Sequence, residues 1–250
     1  MQVILAVAPA DRRDALRYTR QLAHAAYRIG ADSALLRRES GGEVHGGLLV
    51  LSDQDAPAEF DAEKLSVSIV RECDRRGYRG VLIDQECTPP ETMQPLARLL
   101  VRRFRRRRAV FVPEGCDAPG SITVINTAIS GGSYQQRLQE AQRRYGTIAL
   151  DVQRLIMDFS LPSPQGTGTL LTLQQLQQRM EGHTAYFSPE LCARYFTCME
   201  GGNPRFVLFD DADTIRRKLR LASSLGISTA FLTYPEVADL LPQLFGSQRN

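Results

Sequence analysis

The stretch that decides the fold is Tyr78-Arg-Gly-Val-Leu-Ile-Asp-Gln-Glu86. It places a short apolar run between a glycine and two carboxylates, which is typical of a buried strand that ends at a polar edge. Asp84 and Glu86 are two residues apart, so on a strand both side chains point to the same side. The stretch therefore predicts a core strand that delivers two carboxylates to one end of a parallel sheet.

On either side of this stretch, short apolar runs alternate with segments of helical spacing. The predicted helices include Asp61 to Arg76 before it and Tyr134 to Tyr145 after it. Such alternation indicates βαβ units, and about eight strand candidates in a chain of 250 residues is the size expected of a TIM-type (β/α)8 barrel. The alternative α/β fold is an open doubly wound sheet, which usually has a glycine-rich loop after its first strand. Ala8-Pro-Ala-Asp-Arg12, which follows the first strand here, has no glycine and favours the barrel.

We expect a single domain over residues 1–250, with a small inserted α+β element over about 165–209. The element is expected to contain a helix over Leu173–Met180 and a second helix over Pro189–Phe196, the latter flanked by two strands. Elsewhere the apolar spacing predicts a long helix over Asp11–Ile29 that stops at Gly30. The run from Ile148 to Phe159 is interpreted as one apolar strand whose polar end carries Asp158.

Composition excludes several classes of protein. A net charge of +3 is too small to imply a nucleic-acid partner by itself, and no apolar run has membrane-spanning length. The N-terminus lacks a basic leader, so we interpret it as a first core strand and expect a cytoplasmic protein. The five cysteines have no metal-type spacing and indicate free thiols in a reducing compartment. Tryptophan is absent, which matters because sugar sites often stack rings on indoles.

In a barrel, function gathers where the strands end. None of the three histidines falls at a predicted strand end, which argues against a Ser/His/Asp triad or a histidine zinc site. Carboxylate chemistry remains, and we expect neither a metal nor an organic cofactor. Outside the central stretch, each acid also has an ordinary interpretation as a solvated loop residue or a helix cap. The candidate site residues at the strand ends are Asp53, Asp84, Gln85, Glu86, Glu114, Asp158, Tyr234 and Glu236.

Asp84 and Glu86 suit acid–base chemistry. Two carboxylates this close perturb each other, and one tends to keep its proton near neutral pH. A proton-holding glutamate is what a general acid needs in order to protonate a glycosidic oxygen. The alternative is a structural pair, bonded to backbone amides or to an arginine such as Arg79 or Arg154.

The segment resembles the signature of family 18 glycoside hydrolases, D-G-x-D-x-D-x-E, which lies on the fourth strand of those chitinase-like barrels. Gly80, Asp84 and Glu86 match, whereas Arg79 and Leu82 replace two aspartates. The segment from Phe206 to Leu219 also resembles the pattern before the last strand of the family, notably in its spore-cortex members. The likeness covers the middle and the C-terminal third of the chain.

This resemblance implies roles for the matching residues. The N-acetyl carbonyl of the substrate acts as the nucleophile, Glu86 is the acid/base, and Asp84 orients the acetamide and stabilises the positive intermediate. The implied partner is a β-linked polymer of N-acetylated amino sugars, chitin-like or derived from peptidoglycan. Tyr234 would partly replace the missing tryptophan as a stacking surface.

Three departures from the family pattern favour a second hypothesis, a decayed barrel that binds a saccharide or a protein partner. Leu82 removes the inner aspartate. The M-x-Y-D segment has no match that keeps its tyrosine, the nearest being Met157-Asp-Phe-Ser160 and Asn126-Thr-Ala-Ile-Ser130. The last strand ends at Tyr234 and not at a tryptophan.

Other features have a structural interpretation beside a functional one. The run Arg102–Arg108 is expected to close a helix, where cations suit the C-terminal dipole, or else to contact an anionic polymer. Gly131-Gly-Ser-Tyr134 is either a helix entry or an anion-binding turn. Asp210 and Asp211 precede a helix and are interpreted as caps.

Overall fold

The computed structural model describes residues 1–38, 45–163 and 166–246. These residues form fourteen strands in two sheets, together with eight α-helices and two short 3-10 helices at Pro9–Asp11 and Ala238–Leu240. The strands are β1 Gln2–Val7, β2 Leu22–Ile29, β3 Leu35–Arg37, β4 Leu48–Ser52, β5 Gly80–Asp84, β6 Ala109–Pro113, β7 Ile122–Asn126, β8 Ile148–Asp151, β9 Ile156–Ser160, β10 Thr169–Leu170, β11 Tyr186–Ser188, β12 Ala193–Glu200, β13 Asn203–Phe209 and β14 Thr229–Thr233. The helices are α1 Arg12–Ala15, α2 Ala62–Arg76, α3 Pro90–Phe104, α4 Tyr134–Tyr145, α5 Leu173–Met180, α6 Ala212–Ser224, α7 Tyr234–Val237 and α8 Leu241–Phe245.

Eight parallel strands close into a barrel. Their order around it is β1, β2, β4, β5, β6, β7, β8 and β14, and β14 pairs with β1 to complete the ring. The ninth strand of this sheet, β3, pairs antiparallel with the far end of β2 and is not a barrel strand. The predicted (β/α)8 barrel is thus confirmed, and the open doubly wound alternative is excluded.

The barrel interior is filled by mostly small apolar side chains. Leu82 of β5 belongs to this set, which also includes Phe111 and Phe231 packed edge to face with ring centroids 5.0 Å apart. Larger apolar clusters lie outside the strands, under the helices. Because side chains alternate along a strand, the inward position of Leu82 also turns Asp84 inward, one step nearer the mouth.

Local sequence signals set the helix boundaries. Asp61 caps α2 by accepting a hydrogen bond from the Lys64 amide at 3.0 Å, and the helix ends at Gly77, whose φ of 64° suits glycine. Ser133 caps α4 in the same way, so Gly131-Gly-Ser-Tyr134 is a helix entry. Helices α2, α4 and α5 lie within a residue of their predicted bounds.

The predicted helix over Asp11–Ile29 is wrong. The structure has only a short helical stretch there and then β2, the second barrel strand. Strand β2 is rich in alanine and buried on both faces, so its apolar positions form a nearly continuous run that also fits helical spacing.

The predicted helix over Pro189–Phe196 is also wrong. Residues from Ala193 onward form β12, which pairs with β11 through a tight turn containing Cys192 at a φ of 53°. Alternation decides the strand: Phe196 is buried on one face, while Tyr195 contacts Phe206 on the other.

The run from Ile148 to Phe159 is two strands and not one. Strand β8 ends at Asp151 in the barrel, and β9 begins at Ile156 in the second sheet. The inserted element therefore starts before residue 165, and the described part of it is a five-stranded antiparallel sheet in the order β10-β9-β13-β12-β11, with α5 against it. Residues 164 and 165 lie outside the described part of the chain.

A buried ion pair ties the inserted sheet to the barrel. Lys218 of α6 lies 2.6 Å from Asp210, which follows β13, and neither side chain is exposed. The ammonium also lies 3.4 Å from the carbonyl oxygen of Thr127, which follows β7. Asp210 in addition accepts hydrogen bonds from the Leu155 amide and the Thr214 hydroxyl. Across the described ranges, no helix combines the length and apolarity needed to cross a membrane.

Candidate active site

The carboxyl ends of the barrel strands surround a cleft of about 430 Å³. Its floor is made by inward-facing apolar residues, including Leu82 and Phe231, and its rim is polar. The polar lining residues are Asp84, Gln85, Glu86, Asn126, Asp151, Gln153, Thr233 and Glu236. The cleft is therefore acidic, and it sits at the end of the barrel where function is expected.

Asp84 and Glu86 both line this cleft. Within the described chain, neither carboxylate makes a side-chain hydrogen bond or an ion pair. Burial within the mouth, with the nearby charges of Glu86 and Asp53, raises the pKa of Asp84 to about 6. This residue is consequently poised to change charge near neutral pH.

Asp53 shapes the loop that carries Glu86. Its carboxylate is fully buried and accepts hydrogen bonds from the backbone amides of Glu86, Cys87 and Thr88 at 2.7–3.2 Å, and from the Thr88 hydroxyl at 2.8 Å. Burial opposes the charge, but these donors outweigh it and lower the pKa of Asp53. Asp53 therefore lies beneath the site and fixes the backbone at Glu86.

Gln85 faces the cleft edge and is held from behind. Its amide oxygen accepts a hydrogen bond from the Cys116 thiol at 3.1 Å, and its amide nitrogen donates to the carbonyl oxygen of Thr88. Burial raises the pKa of Cys116 to about 12, so this thiol keeps the proton that it donates. The side chain of Gln85 is thus fixed in place.

Asp151 is a cleft residue that the sequence interpretation missed. It ends β8 beside Asn126 of β7 and accepts a hydrogen bond from Gln153 at 3.0 Å. Asn126 donates in turn to Gln153 at 2.8 Å and accepts from the Ala128 amide at 2.7 Å. Burial, with the charges of Glu236 and Asp84, raises the pKa of Asp151 to about 7. The signal in the sequence was the polar break after Leu150, which ends the barrel strand.

Glu236 lies on the same rim, at the start of the chain beyond β14. Its carboxylate accepts a hydrogen bond from the backbone amide of Arg154 at 3.2 Å. The Arg154 guanidinium forms an ion pair with Asp239 at 2.6 Å. The structure therefore brings Glu236 together with Asp84, Gln85 and Glu86, as expected from the strand ends.

Besides Asp53, which lies beneath the cleft, three of the expected site residues are outside the cleft lining. Asp158 is buried in the inserted sheet, where it pairs with Arg179 and Arg205, because β9 is not a barrel strand. Glu114 pairs with Arg137 of α4 and is not among the residues lining the cleft. Tyr234 packs against the apolar cluster outside the barrel, so it does not offer a stacking surface in the cleft.

The two substituted positions of the central stretch lie below the rim. Arg79 precedes β5 and donates to Gln21 at 2.8 Å at the opposite end of the barrel. Leu82 occupies the inward position directly below Asp84 and packs in the apolar interior. Neither Arg79 nor Arg154 contacts Glu86. The described residues contain no cluster of His, Cys, Asp and Glu with the arrangement of a metal site.

Fold and site together define a class: a TIM-type barrel with a carboxylate-lined mouth and an antiparallel insertion before its last strand. Solved structures resemble the chain over nearly its whole length. A chitinase from Chromobacterium violaceum ATCC 12472 is 13% identical with a TM-score of 0.67, covering 99% of this chain and 100% of that one. The family GH18 chitinase from Cycas revoluta in complex with allosamidin is 13% identical with a TM-score of 0.67, covering 98% and 99%.

The spore cortex-lytic enzyme SleL of Bacillus cereus is a further structural neighbour. It is 16% identical with a TM-score of 0.66, and the match covers 98% of this chain and 74% of that one. No protein-family model matches the sequence, and no curated protein matches it. The chain therefore shares the TIM-type barrel fold of these chitinase structures, in keeping with the resemblance of residues 79–86 to the family 18 signature.

Proposed function

We propose that the chain is a glycosidase that hydrolyses β-linked polymers of N-acetylated amino sugars, chitin-like or derived from peptidoglycan. The observation that carries the proposal is the open acidic cleft in which Asp84 and Glu86 lie without a cation partner among the described residues. A structural pair would instead be neutralised by arginine or by backbone amides, as Asp53 is. The neighbouring structures support the substrate class, since one Cycas revoluta chitinase was solved with (GlcNAc)4.

The proposed reaction uses one proton and no cofactor. Protonated Glu86 gives its proton to the glycosidic oxygen as the bond to the leaving sugar breaks, and the N-acetyl carbonyl oxygen of the substrate attacks the anomeric carbon. Ionised Asp84 accepts the acetamide N–H and stabilises the positive charge of the cyclic intermediate. Water then attacks the anomeric carbon and gives a proton to Glu86, which restores the starting state.

A second candidate function is saccharide binding without hydrolysis. It is favoured by Leu82, which puts an apolar group where an inner carboxyl would assist Asp84. It is also favoured by the cleft lining, in which the buried Phe231 is the single aromatic side chain among the described residues. A bound sugar would then contact the acidic rim, with no second carboxyl group below Asp84 to assist it.

The test compares wild type with Glu86→Gln on chito-oligosaccharides and on peptidoglycan fragments. We expect Glu86→Gln to lose at least about 100-fold in turnover, the usual contribution of a general acid, while its binding of chito-oligosaccharides is retained. Glu140→Gln, at an exposed position on α4, is the matched control and should behave as wild type.

The two candidates differ in their outcomes. Hydrolysis by wild type that survives unchanged in Glu86→Gln contradicts the assigned acid. Binding by calorimetry with no product from wild type supports the second candidate. Absence of both overturns the proposal that the cleft takes amino-sugar polymers.

A further inference from the structure

Asp151 is a carboxyl group of the cleft that the proposed reaction leaves unused. It is half-buried at the end of β8, on the same rim as Asp84 of β5. One of its oxygens accepts a hydrogen bond from the Gln153 side-chain amide. The oxygen of that amide accepts from Asn126, whose own side-chain oxygen accepts from the Ala128 backbone amide, so the Gln153 side chain is held in place. The orientation of Asp151 is thus set by three neighbouring residues, of β7 and of the loops that follow β7 and β8.

The groups that face Asp151 are acidic or neutral. Asp84 of β5 and Glu236 of α7 both repel its negative charge, and Glu86 lines the same cleft from the loop after β5. The neighbouring β7 contributes only the neutral Asn126. The nearest cation along the chain, Arg154, is engaged by Asp239 and by the backbone of Glu236. Asp151 therefore has three acidic neighbours on the rim and no cation to offset them within the described residues.

A carboxyl in such a setting is a useful hydrogen-bond donor. Its protonated form donates one O–H and still accepts at the other oxygen, whereas the ionised form only accepts. A neutral N-acetylated sugar presents carbonyl and hydroxyl oxygens, so the protonated form can bind them without adding charge to the acidic rim.

We propose that Asp151 is a second working carboxyl of the cleft, which in its protonated form donates a hydrogen bond to an oxygen of the sugar ligand. This inference rests on the proposed function for the identity of the ligand. It predicts that the cleft takes its ligand well below the pH at which Asp151 loses its proton and poorly above it. Burial raises the pKa of Asp151 to about 7, so the change is expected around neutral pH.

The binding experiment uses chitotetraose and four proteins, titrated by calorimetry between about pH 5.5 and pH 8.5. All four carry Glu86→Gln so that the ligand is not cleaved, and wild type here refers to the residue at position 151. We expect wild-type affinity to fall roughly ten-fold across neutrality as the donor is lost. Asp151→Asn keeps a neutral donor and should bind with little pH dependence. Asp151→Ala should bind weakly throughout. Asp117→Asn, at an exposed acid outside the cleft lining, is the control and should follow wild type.

A carboxyl ¹³C NMR titration of the free protein measures the pKa of Asp151 without any ligand. We expect the Asp151 carbon to titrate near neutral pH, and its midpoint to fall in Asp84→Asn because the repelling charge of Asp84 is removed. A midpoint for Asp151 in the ordinary aspartate range near 4 overturns the inference. So does wild-type binding that is unchanged across neutrality while Asp151→Asn behaves identically.

Failure of the proposed function looks different. If wild type binds no chitotetraose at any pH, the substrate class is wrong, and the carboxyl titration alone then decides whether Asp151 holds the proton of the cleft. Because Asp151→Asn is nearly isosteric, the comparison of wild type with Asp151→Asn tests the inference even if Asp151→Ala does not fold.

Discussion

The carboxylates of the barrel mouth and those of the inserted sheet are handled in opposite ways. In the inserted sheet and at its junction with the barrel, each buried or half-buried acid has a cation: Asp158 has Arg179 and Arg205, Asp211 has Arg194, and Asp210 has Lys218. At the mouth, Asp84, Glu86 and Asp151 have none within the described residues. With 31 lysines and arginines in the chain, cations are not scarce.

The difference separates structural acids from working ones. A paired carboxylate fixes two segments of chain together, and removing its cation leaves a buried charge without a partner, which is destabilising. At the mouth, burial and the charges of neighbouring acids raise the pKa of Asp84 and of Asp151, which costs stability but lets both groups change charge near neutral pH. The unpaired acids of the mouth therefore have the electrostatic properties of a functional site, whereas the paired acids of the inserted sheet have a structural role.

The largest effect is expected from breaking the most buried pair. Lys218→Met removes the ammonium but keeps much of the side-chain volume, leaving Asp210 charged and uncompensated where neither residue is exposed. We expect a loss of about 3–5 kcal/mol in the free energy of unfolding, measured by urea denaturation. Arg217→Met, at the preceding position of α6, breaks the more exposed pair with Asp213 and should cost at most about 1 kcal/mol. Equal losses in the two variants would contradict the distinction.

Asp53 is the intermediate case, a buried acid under the mouth that is stabilised by amides in place of a cation. Asp53→Asn replaces one acceptor oxygen by an NH2 group that faces backbone donors, and we expect a loss of about 2 kcal/mol. Because the folded pKa of Asp53 is lowered, its contribution is present above the unfolded value near 4 and is lost as pH falls through the folded value. Stability measured from pH 7 downward should therefore decline more in wild type than in Asp53→Asn. A parallel decline would show that Asp53 is not the group responsible.

The barrel was predictable because its signals are local. Gly80 starts a strand that a glycine suits, since a Cβ there would clash with the carbonyl oxygen of Ala109 on the next strand. Asp61 and Gly77 mark the two ends of α2. The sequence placed Asp84 and Glu86 on one strand, but only Asp84 ends β5, whereas Glu86 reaches the cleft from the following loop, whose backbone is held by Asp53.

What was missed depended on pairing between distant segments. Whether the apolar run from Ile148 is one strand or two is decided by β13, which pairs with β9 and draws it out of the barrel sheet. The pairing of β9 with β13 places Asp158 in the inserted sheet, and β8 then ends with Asp151 at the barrel mouth. Similarly, β2 is a strand because β1 and β4 flank it, although its alanine-rich sequence also suits a helix.

The smallest effect, and the one of opposite sign, is expected at the mouth. Asp151 has a folded pKa raised to about 7, so its ionisation is harder in the folded protein than in the unfolded chain. Its cost to stability is absent below the unfolded pKa near 4, grows as pH rises, and is complete above about 7. Asp151→Asn should therefore raise the free energy of unfolding by about 1 kcal/mol at pH 8, allowing for solvent screening, and leave it unchanged at pH 4.

Denaturation of wild type and Asp151→Asn at the two pH values measures this gain, with the exposed Asp117→Asn expected to change neither. A loss of stability at pH 8 would place Asp151 with the paired acids of the inserted sheet. Removing the charge of a carboxylate lowers the free energy of unfolding only when favourable contacts stabilise that charge. A gain confined to high pH means that the fold tolerates an unfavourable carboxyl at the mouth. Such a group is retained in a stable protein when its proton has a use there.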